Sequence, residues 1–340
     1  MIERALVVGL GSIGRRHARL LRQLLPGARI AAWRRPSSDR VPIEGIDETF
    51  TNLDEVLRFA PQGAVIANPA SVHMEAALPL ARAGVHLLVE KPIAAMPAGV
   101  AELLAASTAA GIVLMTGYNM RFSPSLLRFR ELLAQRRVGA LLSVRAEVGQ
   151  YLPSWRPGTD YRESVSARAA LGGGVLLELS HEIDYLRWLF GEITSVNAVL
   201  RRQSRLEIDV EDTAHLVLGF AASAGAQPLV AALNMDFVRQ DAVRNCTVLG
   251  EEGSLRWNAM AGTCEFFGSG ASGRQLLSTD AAERDFTYLA QLRCFLDCIA
   301  GKAQPSAGGA DGLAVLQVIE AARCASSSGQ TVQVTATVEE

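Results

Sequence analysis

Gly9-Leu10-Gly11-Ser12-Ile13-Gly14 places three glycines where a main chain could come close to a large anion. In such a run the first glycine makes a tight turn and the second lets the backbone approach a pyrophosphate. The third lets a helix pack closely on the strand before it. Free N–H groups and the dipole at the helix start favour the negative charge. About twenty residues further on, where such sites read the adenosine ribose, stands Trp33-Arg34-Arg35-Pro36-Ser37-Ser38, with no carboxylate before Asp39. A guanidinium pairs bidentately with phosphate, and Arg34 is also placed to stack on an adenine. Gly9, Gly11, Ser12, Ile13, Gly14, Arg34, Arg35 and Ser37 therefore form a candidate dinucleotide site. It favours NADP(H) and leaves NAD(H) possible.

A second cluster lies at 175–190, which reads as one long helix. At about 100° per residue, Leu176, Leu179, Ile183, Leu186 and Phe190 form an apolar stripe. Glu178, His181, Tyr185 and Trp188 gather opposite. A face with Trp, Tyr and His is expected to be covered, and a cofactor cleft is its natural cover. His181 then becomes the candidate general acid/base for a hydroxyl proton. Asp184, one turn on, is placed to hold or tune the imidazole.

The elements that must position these residues follow from periodicity. Positions 5–8 are a continuous apolar run ended by glycine, as in a strand covered on both faces. A helix is expected at 13–25, stopped by Pro26-Gly27. Strands follow at 30–33, 64–67, 86–89 and 112–115, alternating with helices near 53–59, 72–83 and 98–110. Asn52 with Glu55 forms a capping box, and Gly84 and Gly111 stand where helices need a left-handed residue. Repeated strand–helix–strand units imply a doubly wound parallel sheet. Ser123-Pro124 opens a further helix. Beyond it the alternation at 141–151, 193–202, 213–220, 229–237 and 245–249 predicts an antiparallel sheet with one face buried. Residues 153–174 form a long irregular loop, and a last helix is expected at 313–324. The fold class is thus α/β, with a Rossmann domain at 1–120 and an α+β domain at 121–340 whose last helix and strand pack back near the first.

At 340 residues the chain suits two domains. A formal charge of -2 gives no basic face for nucleic acid. No apolar run is long enough for a bilayer span, and the start resembles a strand rather than a signal peptide. Five cysteines without a Cys-x-x-Cys spacing predict reduced thiols in a cytoplasm. Cys294 and Cys298 lack the further ligands a metal would need, so no metal site is expected.

Glu90-Lys91-Pro92 follows the strand at 86–89 and precedes a helix. With the glycine run, this arrangement resembles the glucose–fructose oxidoreductase/inositol dehydrogenase (Gfo/Idh/MocA) family of NAD(P)-dependent enzymes over nearly the whole chain. Asn68-Pro69 with His73 is similar to that family's loop after the fourth strand. Gly117-Tyr118-Asn119-Met120-Arg121-Phe122 is similar to its domain-crossing segment. Gly172-Gly173-Gly174 with Glu178, His181 and Asp184 resembles its second catalytic stretch, and 210–213 and 253–257 resemble later strands. Many members have Asp four residues before the histidine, whereas here Glu178 stands three before, on the same helix side but in another direction.

The resemblance implies that Lys91 touches the nicotinamide ribose and the reacting oxygen. It puts Asn68, Pro69, His73, Glu90 and Asn119 at the cofactor, Tyr118, Arg121 and Glu178 at the substrate, and allows a cis Lys91-Pro92 bond. An ammonium beside that oxygen would stabilise the charge that develops there. In the irregular loop, Trp155 and Tyr161 offer flat surfaces for a sugar ring, and Arg156 and Arg162 offer forks for carboxylate or phosphate. Packing at a subunit interface would call for the same aromatics. The expected activity is hydride transfer at a secondary alcohol or ketone of a sugar, cyclitol or nucleotide-sugar derivative, with Lys91 and His181, from separate domains, handling the proton. Two alternatives stay open: a cofactor-binding sensor without turnover, and a glycosidase that oxidises its sugar transiently. A homodimer or homotetramer through the C-terminal sheet is expected.

Overall fold

The apolar run at 5–8 forms most of β1 (Arg4–Val8) and is buried throughout, as a central parallel strand must be. The computed structural model describes residues 2–36, 42–221 and 228–335. It divides into two units, Met1–Asn119 with Asp285–Leu316 and Met120–Arg284 with Gln317–Glu340. In the first, β1 is followed by α1 (Ser12–Leu24), β2 (Arg29–Trp33), β3 (Glu48–Phe50) and α2 (Leu53–Phe59). Then come β4 (Gly63–Ile66), α3 (His73–Arg82), β5 (His86–Val89), α4 (Val100–Ala109) and β6 (Leu114–Thr116). The sheet order is β3-β2-β1-β4-β5-β6, parallel throughout. The order reverses beside β1, so the crevice where such sheets bind ligands opens at the carboxyl ends of β1 and β4. The capping box forms: Asn52 Oδ1 accepts from Glu55 N–H at 3.0 Å, and Glu55 reaches back to the N–H of Thr51 at 3.0 Å. The short strand β3 is not expected from the sequence, because three residues show no period.

The second unit holds α5 (Pro124–Ala134), β7 (Leu141–Gly149), and a run of short 3-10 turns between 152 and 171. The helix expected at 175–190 is two helices, α6 (Val175–Glu178) and α7 (His181–Phe190). The chain tightens between them, where Glu182 N–H bonds the Leu179 carbonyl at 3.1 Å. Six strands then follow from 193 to 268: β8 (Ile193–Arg201), β9 (Thr213–Phe220), β10 (Val230–Asp236), β11 (Val243–Gly250), β12 (Gly253–Asn258) and β13 (Thr263–Gly268). β14 (Gln275–Thr279) and β15 (Val332–Gln333) complete this unit; between them come α8 (Phe286–Ile299), which belongs to the first unit, and α9 (Gly309–Ser328), which begins in the first and ends in the second. The large sheet runs β14-β13-β12-β11-β7-β10-β9-β8-β15, with β7 and β10 parallel and the other pairs antiparallel. Ala214, Leu216 and Leu218 of β9 are buried while His215 and Val217 between them are exposed, the alternation of a sheet covered on one face.

Trp257 of β12 anchors that covered face. It is fully buried, donates from Nε1 to Ser125 Oγ at 2.9 Å, and packs edge-on against Tyr185 of α7 at 5.5 Å. In the first unit α8 lies against α1 and the chain at 307–308 extends the β6 edge, where Thr116 N–H bonds the Ala307 carbonyl at 2.8 Å. Among the described residues, no helix is long and apolar enough to cross a membrane.

Candidate active site

In the first unit the glycine run turns from β1 into α1, and its first and third glycines are demanded by their surroundings. Gly9 has φ +84°, and a Cβ there would lie 2.7 Å from the Asn68 backbone. At Gly14 a Cβ would lie 2.0 Å from the Gly9 carbonyl oxygen, so helix and turn could not stay in contact. Gly11 is different, since a Cβ there meets nothing within 4 Å. The space above the loop is open. No side chain caps α1 and no acidic residue lies in its first turn, so its leading N–H groups face that space with the positive end of the dipole. The cradle fits a pyrophosphate, to which the main-chain N–H groups of Ser12 and Ile13 would be offered. Arg34, half-buried, and Arg35, exposed, follow directly on β2, where Arg34 N–H bonds the Phe50 carbonyl at 3.1 Å. Ser37 lies outside the described residues.

Around the carboxyl ends of β4 and β5 the sequence-expected residues lock together. His73 is buried, with Nε2 2.8 Å from the Asn68 carbonyl and Nδ1 3.2 Å from that of Ile93. Burial pushes its pKa down against the pull of those carbonyls. It therefore serves to tie the loop at Asn68 and Pro69 to the segment after Pro92. Glu90 is buried at the end of β5. One of its oxygens lies 2.6 Å from His17 Nε2, and the other accepts the Lys91 N–H at 3.2 Å. Burial alone would raise this carboxyl, but the bond and charge of His17, together with Lys91, hold it below the usual carboxylate range. Lys91 is half-buried, and its bond to Pro92 is cis. A Cβ at Gly117 would come within 2.9 Å of the Glu90 Cα. Asn119, expected at the cofactor, donates its amide to Thr287 Oγ1 of α8 at 2.9 Å, and Tyr118, expected at the substrate, is buried.

In the second unit the triple glycine shapes the approach to His181. Gly172 and Gly174 have φ of +82° and +109°, and a Cβ at Gly173 would lie 2.3 Å from the Val165 carbonyl. The Glu211 carboxylate lies where a Gly174 Cβ would be and accepts the Leu176 N–H at 3.1 Å. Burial pushes that carboxyl up. His181 begins α7 and is buried. Glu178, at the end of α6, is half-buried. Asp184 and Arg121, expected respectively beside the imidazole and at the substrate, close on each other in a buried bidentate pair: Arg121 Nη2 donates to Oδ1 at 2.6 Å and Nε to Oδ2 at 3.0 Å. A buried guanidinium demands a counter-charge, and Asp184 supplies it. In the irregular loop, Trp155 stands edge-on to Phe237 at 5.2 Å, and Tyr161 Oη accepts the Glu207 N–H at 3.3 Å. Arg156 is exposed. Arg162, expected to grip a substrate anion, is paired with Asp160 and Glu207, which hold its pKa up.

Two partners, the buried His17 and the half-buried Glu211 cap, fall outside the set expected at the site. The signal for His17 was a lone polar residue within the buried stripe Gly14, Ala18 and Leu21 of α1. Glu211 gave none, because the residue it caps is remote in sequence.

A parallel sheet of this strand order, with a glycine cradle at the switch point and a second unit built on a large mixed sheet, defines a nicotinamide-dinucleotide oxidoreductase. Residues 3–118 match the oxidoreductase family with an NAD-binding Rossmann fold, and residues 126–256 match the GFO/IDH/MocA C-terminal domain. The chain belongs to the GFO/IDH/MocA family. It is 30% identical over 347 residues to inositol 2-dehydrogenase 1 of Saccharopolyspora erythraea, covering 98% of this chain and 97% of that protein. To 1,5-anhydro-D-fructose reductase of Ensifer adhaerens it is 28% identical over 298 residues, 85% of each chain. The structure of levoglucosan dehydrogenase in complex with NADH is similar in fold, with TM-score 0.84 at 22% identity over 98% of this chain and 99% of that one.

Proposed function

We propose that this oxidoreductase moves a hydride between NADP(H) and a secondary alcohol or ketone of a sugar or cyclitol, with Lys91 and His181 handling the proton. The observation behind this reading is the setting of Lys91, a half-buried amine whose backbone is gripped by a buried carboxylate. Of 33 lysines and arginines in the chain, only Lys91 and Lys302 are lysine. An arginine at this place could not give up a proton, whereas a lysine can. When bound, the nicotinamide supplies the two-electron hydride acceptor or donor. In the oxidising direction His181 takes the hydroxyl proton and returns it in reduction, while the Lys91 ammonium stabilises negative charge on the same oxygen. The relatives named for inositol and anhydrofructose support a polyhydroxylated ring as substrate. Arg34 and Arg35, with no carboxylate before Asp39 in the sequence, support the 2′-phosphate form of the cofactor.

The test supplies NADPH with 1,5-anhydro-D-fructose, and NADP+ or NAD+ with myo-inositol and levoglucosan, following absorbance of the reduced nicotinamide. Lys91→Ala is expected to lower turnover by at least a thousandfold, of the order of an electrostatic and proton-handling group. Cofactor affinity, read by fluorescence quenching, should change far less. Wild-type turnover in Lys91→Ala removes the amine from the mechanism.

A further inference from the structure

His17 is a fully buried histidine in the second turn of α1, and its partner is not in its own helix. Its Nε2 lies 2.6 Å from Glu90 Oε1 across 73 residues of chain. A carboxylate oxygen only accepts, so Nε2 carries the proton of this bond. On the other side the ring meets Tyr288 of α8 edge-on at 5.8 Å, and Nδ1 has no hydrogen-bond partner among the described residues. A histidine kept buried with one nitrogen unsatisfied costs stability, which its bond to Glu90 must offset. The second oxygen of Glu90 takes the N–H of Lys91 and lies 3.0 Å from where a Cβ would stand at Gly117, so glycine there leaves the carboxylate its place.

We propose that His17 is a positioning residue for Lys91: its buried bond fixes one oxygen of Glu90, leaving the other to hold the Lys91 main chain and setting the negative charge beside the lysine amine. The charged and titratable groups facing Glu90 are Lys91 beside it, His17 from α1 and His73 from α3. Tyr288 and Arg16, whose guanidinium lies 4.7 Å from the Tyr288 ring centroid, back His17 from α8 and α1. Glutamine at position 17 can present an N–H where Nε2 stood, and leucine cannot. The inference rests on Lys91 being the working amine, but its central link is a coupling that is measurable without substrate.

The scarcity of lysine makes the measurement direct. Protein labelled with 13Cε-lysine gives two side-chain signals, from Lys91 and Lys302, and Lys302→Arg assigns them. The Lys91 signal is expected to move to a lower titration midpoint in His17→Leu, the direction of losing an oriented opposite charge nearby. In His17→Gln that midpoint should stay close to wild type. With substrate, kcat should fall at least tenfold in His17→Leu and recover in His17→Gln, with the cofactor Kd within about threefold of wild type in both. An unchanged Lys91 midpoint in folded His17→Leu would reduce His17 to packing and overturn the proposal. If His17→Leu does not fold, Glu90→Gln poses the same question: the same fall supports the proposal and an unmoved midpoint overturns it. Failure of Lys91→Ala to lose turnover would sink the functional reading while leaving this coupling intact, so the two failures are distinguishable.

Discussion

Asp184→Asn is the perturbation whose size the structure defines best. The carboxylate is fully buried and its partner guanidinium 4% exposed, joined by two short bonds. Asparagine keeps the shape but leaves Arg121 with a charge that nothing of opposite sign neutralises in that pair. Breaking a buried pair from one side costs about 3–5 kcal/mol. At about 2–4 °C per kcal/mol for a body of this size, the melting temperature should drop by roughly 6–20 °C. The companion variant Arg121→Met with Asp184→Leu removes both charges at similar volume and is expected to recover most of the loss, since apolar replacement of a buried pair is often neutral. Three of the four tryptophans, Trp155, Trp188 and Trp257, belong to the second unit and Trp33 to the first, so urea unfolding followed by tryptophan fluorescence in a Trp33→Phe background reports the relevant body. Turnover divides the possible roles of Asp184. If it only neutralises Arg121, the double variant regains activity with stability; if it also tunes His181, stability returns and kcat does not. An Asp184→Asn protein that melts within a degree of wild type, or a double variant no better than the single, would refute the energetics.

Three further outcomes follow from the same geometry. Arg34→Asp should weaken NADPH binding at least tenfold and spare NADH, measured by fluorescence titration; a wild type that prefers NADH contradicts the reading of the second strand. Glu182 is fully buried, 2.9 Å from Arg244 without hydrogen-bond alignment, and burial raises its pKa against the pull of Arg244 and Tyr185. A raised folded pKa adds stability below the unfolded value, roughly 4.3, and that stability is lost as pH rises through the folded value. The melting temperature of Glu182→Gln relative to wild type should therefore climb between pH 4.5 and pH 8, and a flat or falling difference rejects it. Val199, Val217 and Val230 are 44%, 49% and 44% exposed on neighbouring strands of the large sheet. We expect self-association there, so Val217→Asp should shift the light-scattering mass toward the monomer; an unchanged mass places the interface elsewhere.

How much of this was legible depended on the range of the interaction. The first sheet was readable because buried parallel strands are continuous apolar runs and the glycines sit at fixed offsets, so β1 and α1 emerge within a residue of expectation. Strand β9 matches its expected limits because its alternation is unbroken. The stretch at 175–190 misled for a definite reason. Its stripe continues through Leu179, which is buried as expected, but the break before His181 comes from main-chain tightening that leaves no mark on the hydrophobic period. Side-chain partners were the least legible. Arg121 and Asp184 were each identified as important, yet that they bond to one another depends on a contact across 63 residues. Arg162 looked like a free fork, but Asp160 two residues before it holds the guanidinium and Glu207, far along the chain, adds a second carboxylate.

One device recurs in both units and clarifies what His17 adds. In each unit a glutamate accepts a main-chain N–H and leans on a glycine that has no room for a Cβ: the buried Glu90 with Lys91 and Gly117, the half-buried Glu211 with Leu176 and Gly174. The first clasp fixes the backbone of Lys91 itself, the second the start of the helix that precedes His181. Burial pushes each carboxyl up, yet Glu211 stays raised and Glu90 ends below its ordinary range. The largest opposing influence at Glu90 is the hydrogen bond from His17; at Glu211 it is only backbone N–H groups. The imidazole therefore makes the difference between a clasp that merely shapes the chain and one that also keeps a charge beside an amine. Moving the pH downward should open that difference. The Glu211 carboxyl, raised when folded, takes up its proton first, while Glu90 holds its charge to lower pH. A 13C-glutamate titration in which Glu90 protonates before Glu211 would show that the buried imidazole does not govern its partner.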